Sequence, residues 1–314
     1  VPSRSVLEWK RNRSGYFYIA PWVAGFLAFG LIPIVSSFII SLHSWDPLDF
    51  LAEWEFVGFR NFADLFTDDP LFARSIGNNL LYMVFANGGG IALSLFMAAL
   101  LNEKIKGRHA FRVIFFLPSL VVPIAFGLLM TPIFMYEDSG LINWVITRLG
   151  GEPVLFLGDP NRSIWVVIIT NYWFIGASTV IFLAGIANLP KSYFEAAEID
   201  GAGWWKRFFH ITLPLMSPVI FFQVVNGLIG GLRIFDIPAA LANIGGNTTV
   251  NMGRDNSLAT MVFYLYTKGV RNGEFGYASA IGWVIFAIGL LLTVVIIAYL
   301  RRNRAQDGAG VEEV

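Results

Sequence analysis

Six stretches of this chain are apolar for about the length of a membrane crossing, and this restricts its fold more than any other feature. They run from Tyr16 to Leu42, Asn79 to Leu101, Phe111 to Tyr136, Ser163 to Ala187, Leu215 to Leu232 and Tyr277 to Leu300. A helix needs about 20 mostly apolar residues to cross a bilayer. Inside the bilayer every backbone N–H and C=O must be paired within the segment or by a neighbour. The expected fold is therefore an all-α membrane protein of six transmembrane helices, forming one domain over residues 1–314. Charged residues make up 14% of the chain, against about 25% in soluble domains. Pro33, Pro118, Pro123 and Pro132 lie inside apolar runs, where neighbouring helices can satisfy the backbone groups they free.

Orientation follows from Lys and Arg, which concentrate on the cytoplasmic side. With the N-terminus inside, fourteen of them fall on the inside: Arg4, Lys10, Arg11, Arg13, Lys104, Lys106, Arg108, Arg112, Lys191, Lys206, Arg207, Arg301, Arg302 and Arg304. Eight fall outside, in longer segments. Asp46, Asp49, Glu53, Glu55, Asp64, Asp68 and Asp69 gather in the first outside loop. Both termini are expected to be cytoplasmic. The N-terminal apolar run is too long for a cleavable signal and no small-residue cleavage site follows it. Trp22, Trp45, Trp54, Trp144, Trp165, Trp204, Trp205 and Trp283 fall mostly near span ends, as interfacial anchors do.

Several chemistries are missing. The net charge is zero, which argues against nucleic acid as a partner. There is no cysteine, so no disulfide framework or thiolate metal site can form. No P-loop, HExxH or GxSxG pattern occurs. His43, His109 and His210 are far apart in sequence. No metal, cofactor or catalytic constellation is expected, and the chain reads as something other than an enzyme. Gly88, Gly89 and Gly90 lie within the second span, where close helix packing explains them.

One polar stretch interrupts the apolar pattern: EAAEIDGAGWWKRFFHITLP, Glu195 to Pro214. Asn188 is placed to cap a helix and Pro190 to start it. Lys191 to Asp200 then reads as a helix of about ten residues. Ala196 and Ala197 are small helix formers, so another surface can approach closely. Gly201 and Gly203 end the helix and permit a sharp turn. The charge count puts this loop, 188–214, in the cytoplasm. EAA, three residues, Gly201, nine residues, Ile211, one residue and Leu213-Pro214 make seven fixed positions. They match by chance on the order of once in 10⁸ starting points.

This spaced pattern resembles the EAA loop of the membrane subunits (permeases) of bacterial ATP-binding-cassette (ABC) importers. The resemblance extends from about Tyr16 to Tyr299. FRVIFFLPSLVVPIAFGLLMTPIF at Phe111 to Phe134, GLIN at Gly140 to Asn143, IFDI at Ile234 to Ile237 and FGYASA at Phe275 to Ala280 look like the carbohydrate-uptake subfamily, of maltose and glycerol-phosphate type. The resemblance implies a type I ABC importer permease fold in the bacterial inner membrane. It also implies a permease that moves an oligosaccharide or sugar derivative without hydrolysing ATP itself. ATP and Mg would be used by two separate ATPase subunits. The other partners would be a second homologous permease and an extracellular or periplasmic solute-binding protein. In the family the EAA helix docks into the ATPase as a coupling helix. By motif match Glu195, Ala196, Ala197 and Gly201 carry that docking, with Glu198, Asp200, Lys206 and Arg207 as rim contacts or solvated surface charge.

Sugars are bound by hydrogen bonds and aromatic faces. Asn171, Tyr172, Trp173, Gln223 and Asn226 can line a sugar path, although interhelical hydrogen bonding explains each polar group equally well. Arg233 and Asp236 follow span five and stand near the pore, or else pair with each other. If Arg233 faces the cavity, an acidic sugar is favoured. Two alternatives remain: an ABC permease for another small polar solute, and a stand-alone carrier. The carrier needs mid-membrane carboxylates, and no span centre holds Asp or Glu.

Overall fold

The computed structural model describes residues 16–45, 54–103, 106–136, 140–242 and 252–309. The orientation evidence from Arg4, Lys10, Arg11, Arg13, Asp46, Asp49, Glu53 and Lys104, and the expectation for the terminal residues, lie outside the described residues.

Among the described residues, five helices are long and apolar enough to cross a membrane, and a sixth span results if one bent pair counts as one. Helix α1 is Tyr16–Ser41. Its turn Leu27–Leu31 is a π-helix just ahead of Pro33, as expected where a proline cannot donate to the preceding turn. The short helix α2, Arg60–Thr67, leads to α3, Pro70–Asn102. This helix begins nine residues before the apolar run. Asp69 caps it, accepting from the Leu71 and Phe72 amides at 3.0 Å each, and Pro70 fits its first turn. Such a cap contributes about 0.5–2 kcal/mol.

The third run is not one straight helix. It divides into α4, Arg108–Phe116, and α5, Pro123–Phe134, bent 97° from each other. Pro118 sits in a 3₁₀ turn, and Val121 and Val122 are extended. Pro123 explains the second half of the break, since the residue before a proline is driven out of the helical region.

Helix α6 is Leu141–Arg148, and α7 is Ser163–Ala187, with a 3₁₀ turn at Tyr172–Phe174. The polar stretch forms α8, Lys191–Ile199, and α9, Trp204–Arg207. Then come α10, Ser217–Leu232, α11, Asp236–Ala242, and α12, Met261–Tyr266. The last helix, α13, is Phe275–Ala309, longer than the apolar run because it carries on through the basic residues Arg301, Arg302 and Arg304. His43–Ser44 and Glu55–Phe56 form a two-residue antiparallel pair.

Helix α3 is the mast of the structure. Its Phe72 and Met83 join one buried cluster with Leu232, Phe263 and Ile281. Tyr82 and Ala86 join a second with Val167 and Ile237. Leu95 and Ala98 join a third with Phe182 and Met216. The crossing of α4 and α7 is tight: a Cβ at Gly176 would overlap the Phe115 carbonyl. Gly90 is buried and Gly89 lies against the Tyr172 hydroxyl, the close packing expected of them, whereas Gly88 is exposed.

Polar groups at the N-terminal end of α3 clamp distant segments. Asn78 donates to the carbonyls of Ser257 and Ala259 at 3.0 and 2.8 Å. Asn79 donates to Gly231 at 2.7 Å and accepts from the Met261 amide at 2.9 Å. Asp69 accepts from the Tyr277 hydroxyl at 2.6 Å and from that of Tyr264. Burial, followed by the Asp69 carboxylate, holds the Tyr264 hydroxyl well above its ordinary pKa. Trp283 makes contacts inside the helix packing. It lies eight residues into α13, stacks edge-on against Phe38 of α1 at 5.0 Å and donates to Ser37.

Candidate functional site

Two places bring the sequence-selected residues together. The first is the α8–α9 hairpin. Asn188 does not cap α8. Its side chain donates to the Ala184 carbonyl at 3.0 Å, at the end of α7, and Pro190 is the capping position of α8. The two residues between Asn188 and Lys191 leave its amide closer to the helix behind it.

The turn after α8 is a Schellman motif. The Ala202 amide donates to Ala197 at 2.8 Å and the Gly201 amide to Glu198 at 3.0 Å. Gly201 has φ +73°, and a Cβ there would meet nothing within 4 Å. Gly203 precedes the first turn of α9 in an extended conformation. Helix α8 buries none of its side chains. Glu195, Ala196, Glu198, Asp200 and Gly201 are exposed, and Ala197 is half-buried.

The hairpin is anchored by aromatics in α9. Trp204 stacks on Phe208 at 5.3 Å, and Phe96 of α3 packs against Trp204, Trp205 and Phe208. A recess of about 310 Å³ opens beside Ala197, Ala202, Lys206 and Ile211. A larger one of about 590 Å³ lies behind α8, reached by Lys191, Phe194, Glu198, Arg207, Glu103 and Arg108. Arg207 pairs with Glu198, and its other terminal nitrogen lies 4.0 Å from Glu103.

The second place is a cleft of about 320 Å³ between α3, α7 and α10. It is lined by Asn87 and Ser94, Asn171 and Ser178, Gln223 and Asn226. These are amides and hydroxyls with no charged side chain. Tyr82, in the π-helical turn Tyr82–Gly88 of α3, also reaches the cleft. The Tyr82 hydroxyl donates to Asn171 Oδ1 at 2.6 Å. Asn87 donates to the Gly227 carbonyl and Ser94 to Ile175 at 3.2 Å. Asn226 donates back to Phe222 of its own helix at 2.9 Å. Gln223 is 6% exposed, and among the described residues its side chain makes no hydrogen bond.

Of the residues singled out for a sugar path, Asn171, Gln223 and Asn226 line this cleft. Tyr172 and Trp173 do not. Tyr172 donates to the Phe85 carbonyl at 2.6 Å, and exposed Trp173 stacks on Phe126 at 5.5 Å. One and two residues past Asn171, they stand about 100° and 200° round the helix from the face that Asn171 and Ser178 share. Arg233 and Asp236 lie after α10 and at the start of α11, both exposed. No ion pair within 4.0 Å joins them. Tyr82, Asn87, Ser94 and Ser178 went unselected in the sequence. Asn87 and Ser94 are seven apart, as are Asn171 and Ser178, and that spacing repeats a helix face.

Among the described residues, no group of three or more His, Asp or Glu is placed to hold a metal ion. Among the described residues, the buried polar side chains are Ser, Thr, Asn or Gln, with the Tyr82 and Tyr264 hydroxyls, and none is an Asp, Glu, Lys or Arg.

The family model for a binding-protein-dependent transport system inner membrane component matches residues 90–306. The chain is 34% identical over 296 residues to a probable ABC transporter permease protein, YesP, of Bacillus subtilis, covering 94% of this chain and 92% of that one. It is 33% identical to the arabinooligosaccharides transport system permease protein AraP of Bacillus subtilis, over 92% and 89% of the two chains. It is also 33% identical to the trehalose/maltose transport system permease protein MalF of Thermococcus litoralis, over 96% and 97%. Among solved structures, a chain from a bacterial ABC transporter involved in importing the acidic polysaccharide alginate superposes with a TM-score of 0.76 at 22% identity, covering 96% of this chain and 99% of that one.

Proposed function

The chain belongs to the binding-protein-dependent transport system inner membrane components, and from that premise we propose how it works as the permease subunit of a carbohydrate importer. Its place is the bacterial inner membrane, with six spans, α4 and α5 together forming the third, and with both termini in the cytoplasm. It pairs with a second, homologous permease. Two ATPase subunits bind ATP and Mg and seat α8 in a cleft, and a solute-binding protein delivers substrate from outside. The observation that carries this reading is the hairpin: an apolar protein presents a helix with no buried side chain, ended by an open turn at Gly201. A helix of nine residues is marginal alone in water, and an ATPase surface would supply the contacts that its own chain does not. Ala196 and Ala197 let that surface approach, and Glu195 meets its basic or polar groups.

Substrate passes the α3–α7–α10 cleft. Asn171, Gln223 and Asn226 offer amides to sugar hydroxyls, and Asn87, Ser94 and Ser178 extend the same polar wall. Tyr172, Trp173 and Asp236 stand outside it and border the path at most. Arg233, exposed at the end of α10, is the cation that an acidic oligosaccharide would meet. Relatives that carry arabinooligosaccharides and trehalose or maltose support an oligosaccharide or sugar derivative over other small polar solutes. A stand-alone ion-coupled carrier is disfavoured, because no Asp or Glu is buried among the described residues. ATP-driven closure of the ATPases would push α8, and α7 and α10, which flank the hairpin in sequence, would carry the push to the cleft.

Affinity purification of the tagged chain, co-expressed with its neighbouring transport subunits, tests the assembly. One copy of a second permease and two ATPase copies should be retained. A chain that purifies alone and remains transport-competent would refute the proposal.

A further inference from the structure

We propose that Arg207 is a positioning residue that ties the coupling hairpin to the base of α3, and that Glu198 serves this internal tie rather than an external partner. The inference rests on the coupling role of α8. Because α8 buries no side chain and its turn is open, its orientation depends on its chain ends and on whatever grips it from behind. The Arg207 guanidinium is what grips it. One terminal nitrogen pairs with Glu198 on α8, and the other lies 4.0 Å from Glu103, the residue that ends α3.

Burial favours this role. The Arg207 side chain is 17% exposed, against 62% for Glu198 and 46% for Glu103. The cation is thus the sheltered member and depends on both acids. A planar guanidinium can hold two carboxylates at a fixed angle, which an ammonium cannot do as well. The base of Arg207 is fixed too, since the next residue, Phe208, is buried against Leu95, Phe182 and Met216. Force on α8 therefore has a side-chain route: Glu198, Arg207, Glu103, then α3. Asn87 and Ser94 stand on that same helix and line the cleft.

The test uses the complete transporter in proteoliposomes and measures sugar moved per ATP hydrolysed, with ATPase-subunit retention measured alongside. Arg207→Ala and Glu198→Ala should each lower the ratio about fivefold or more, the lower end of a typical coupling between sites, with retention unchanged. The double variant should fall no lower than the worse single, as for two members of one interaction. Arg207→Lys should recover at least half of the loss. A wild-type ratio in Arg207→Ala, multiplicative losses in the double variant, or loss of ATPase retention would each overturn the tie. Ala196→Trp separates this from the reading beneath it. If that variant leaves retention and transport intact, the docking role of α8 fails whatever Arg207 does.

Discussion

Gly201 gives the sharpest single perturbation, because its cost within the chain can be separated from its cost within an assembly. At φ +73° any L-residue is strained, by about 1–2 kcal/mol. No atom lies within 4 Å of a Cβ built there, so side-chain size adds nothing inside this chain. Ala, Leu and Trp should therefore destabilise the isolated permease equally, by about 1–2 kcal/mol, and Asn by less, since it tolerates the left-handed region. Thermal unfolding of the detergent-solubilised chain reads that term. Against a docked ATPase, size matters. Gly201→Trp should weaken ATPase retention and transport at least about tenfold relative to Gly201→Ala, a difference of about 1.4 kcal/mol. If Trp and Ala behave alike in the assembled transporter, or Trp transports normally, nothing docks against this turn and the reasoning is wrong.

Other consequences follow from the packing and the cleft. Gly176→Ala places a methyl against the Phe115 backbone carbonyl, and the unfolding midpoint should fall by the equivalent of about 1–3 kcal/mol, as in overpacked cores; an unchanged midpoint would show that α4 and α7 do not cross so tightly. Gln223→Ala and Asn171→Ala should raise the sugar concentration needed for half-maximal uptake about fivefold or more each, at about 1 kcal/mol per lost hydrogen bond, with basal ATP hydrolysis unchanged; unaltered uptake would remove the cleft from the path. Arg233→Gln should impair uptake of anionic oligosaccharides more than neutral ones, and equal effects would contradict a role for its charge.

The long apolar runs were legible because bilayer crossing imposes length and apolarity, which survive in sequence without any tertiary knowledge, and the five long apolar helices and the bent pair fall on them. The start of α3 was less so. Asp69-Pro70 is a helix-start signal, but it stands in a polar segment that hydropathy passes over. Pro118 and Pro123 announced a disturbance in the third run, yet its 97° angle depends on what α5 packs against. Gly201 was legible as a turn because few residues but glycine adopt a left-handed C-terminal position. In the cleft, amides inside apolar runs were visible, whereas the side each faces was not. Helical spacing carries Tyr82 in with Ala86 and Gly90 and leaves Trp173 off the face that Asn171 and Ser178 share. Arg207 was seen as a charge in the loop, and its two acid partners became visible only when Glu103, about a hundred residues earlier, met it in space.

The central claim is that these helices carry sugar only when a separate motor drives them. Uptake of labelled oligosaccharide into proteoliposomes, with and without the ATPase subunits and ATP, tests it most directly. Uptake should require both, together with the solute-binding protein, and the permease chain alone should hydrolyse no ATP. Sustained uptake without the ATPase subunits, or ATP hydrolysis by the chain alone, would contradict the account.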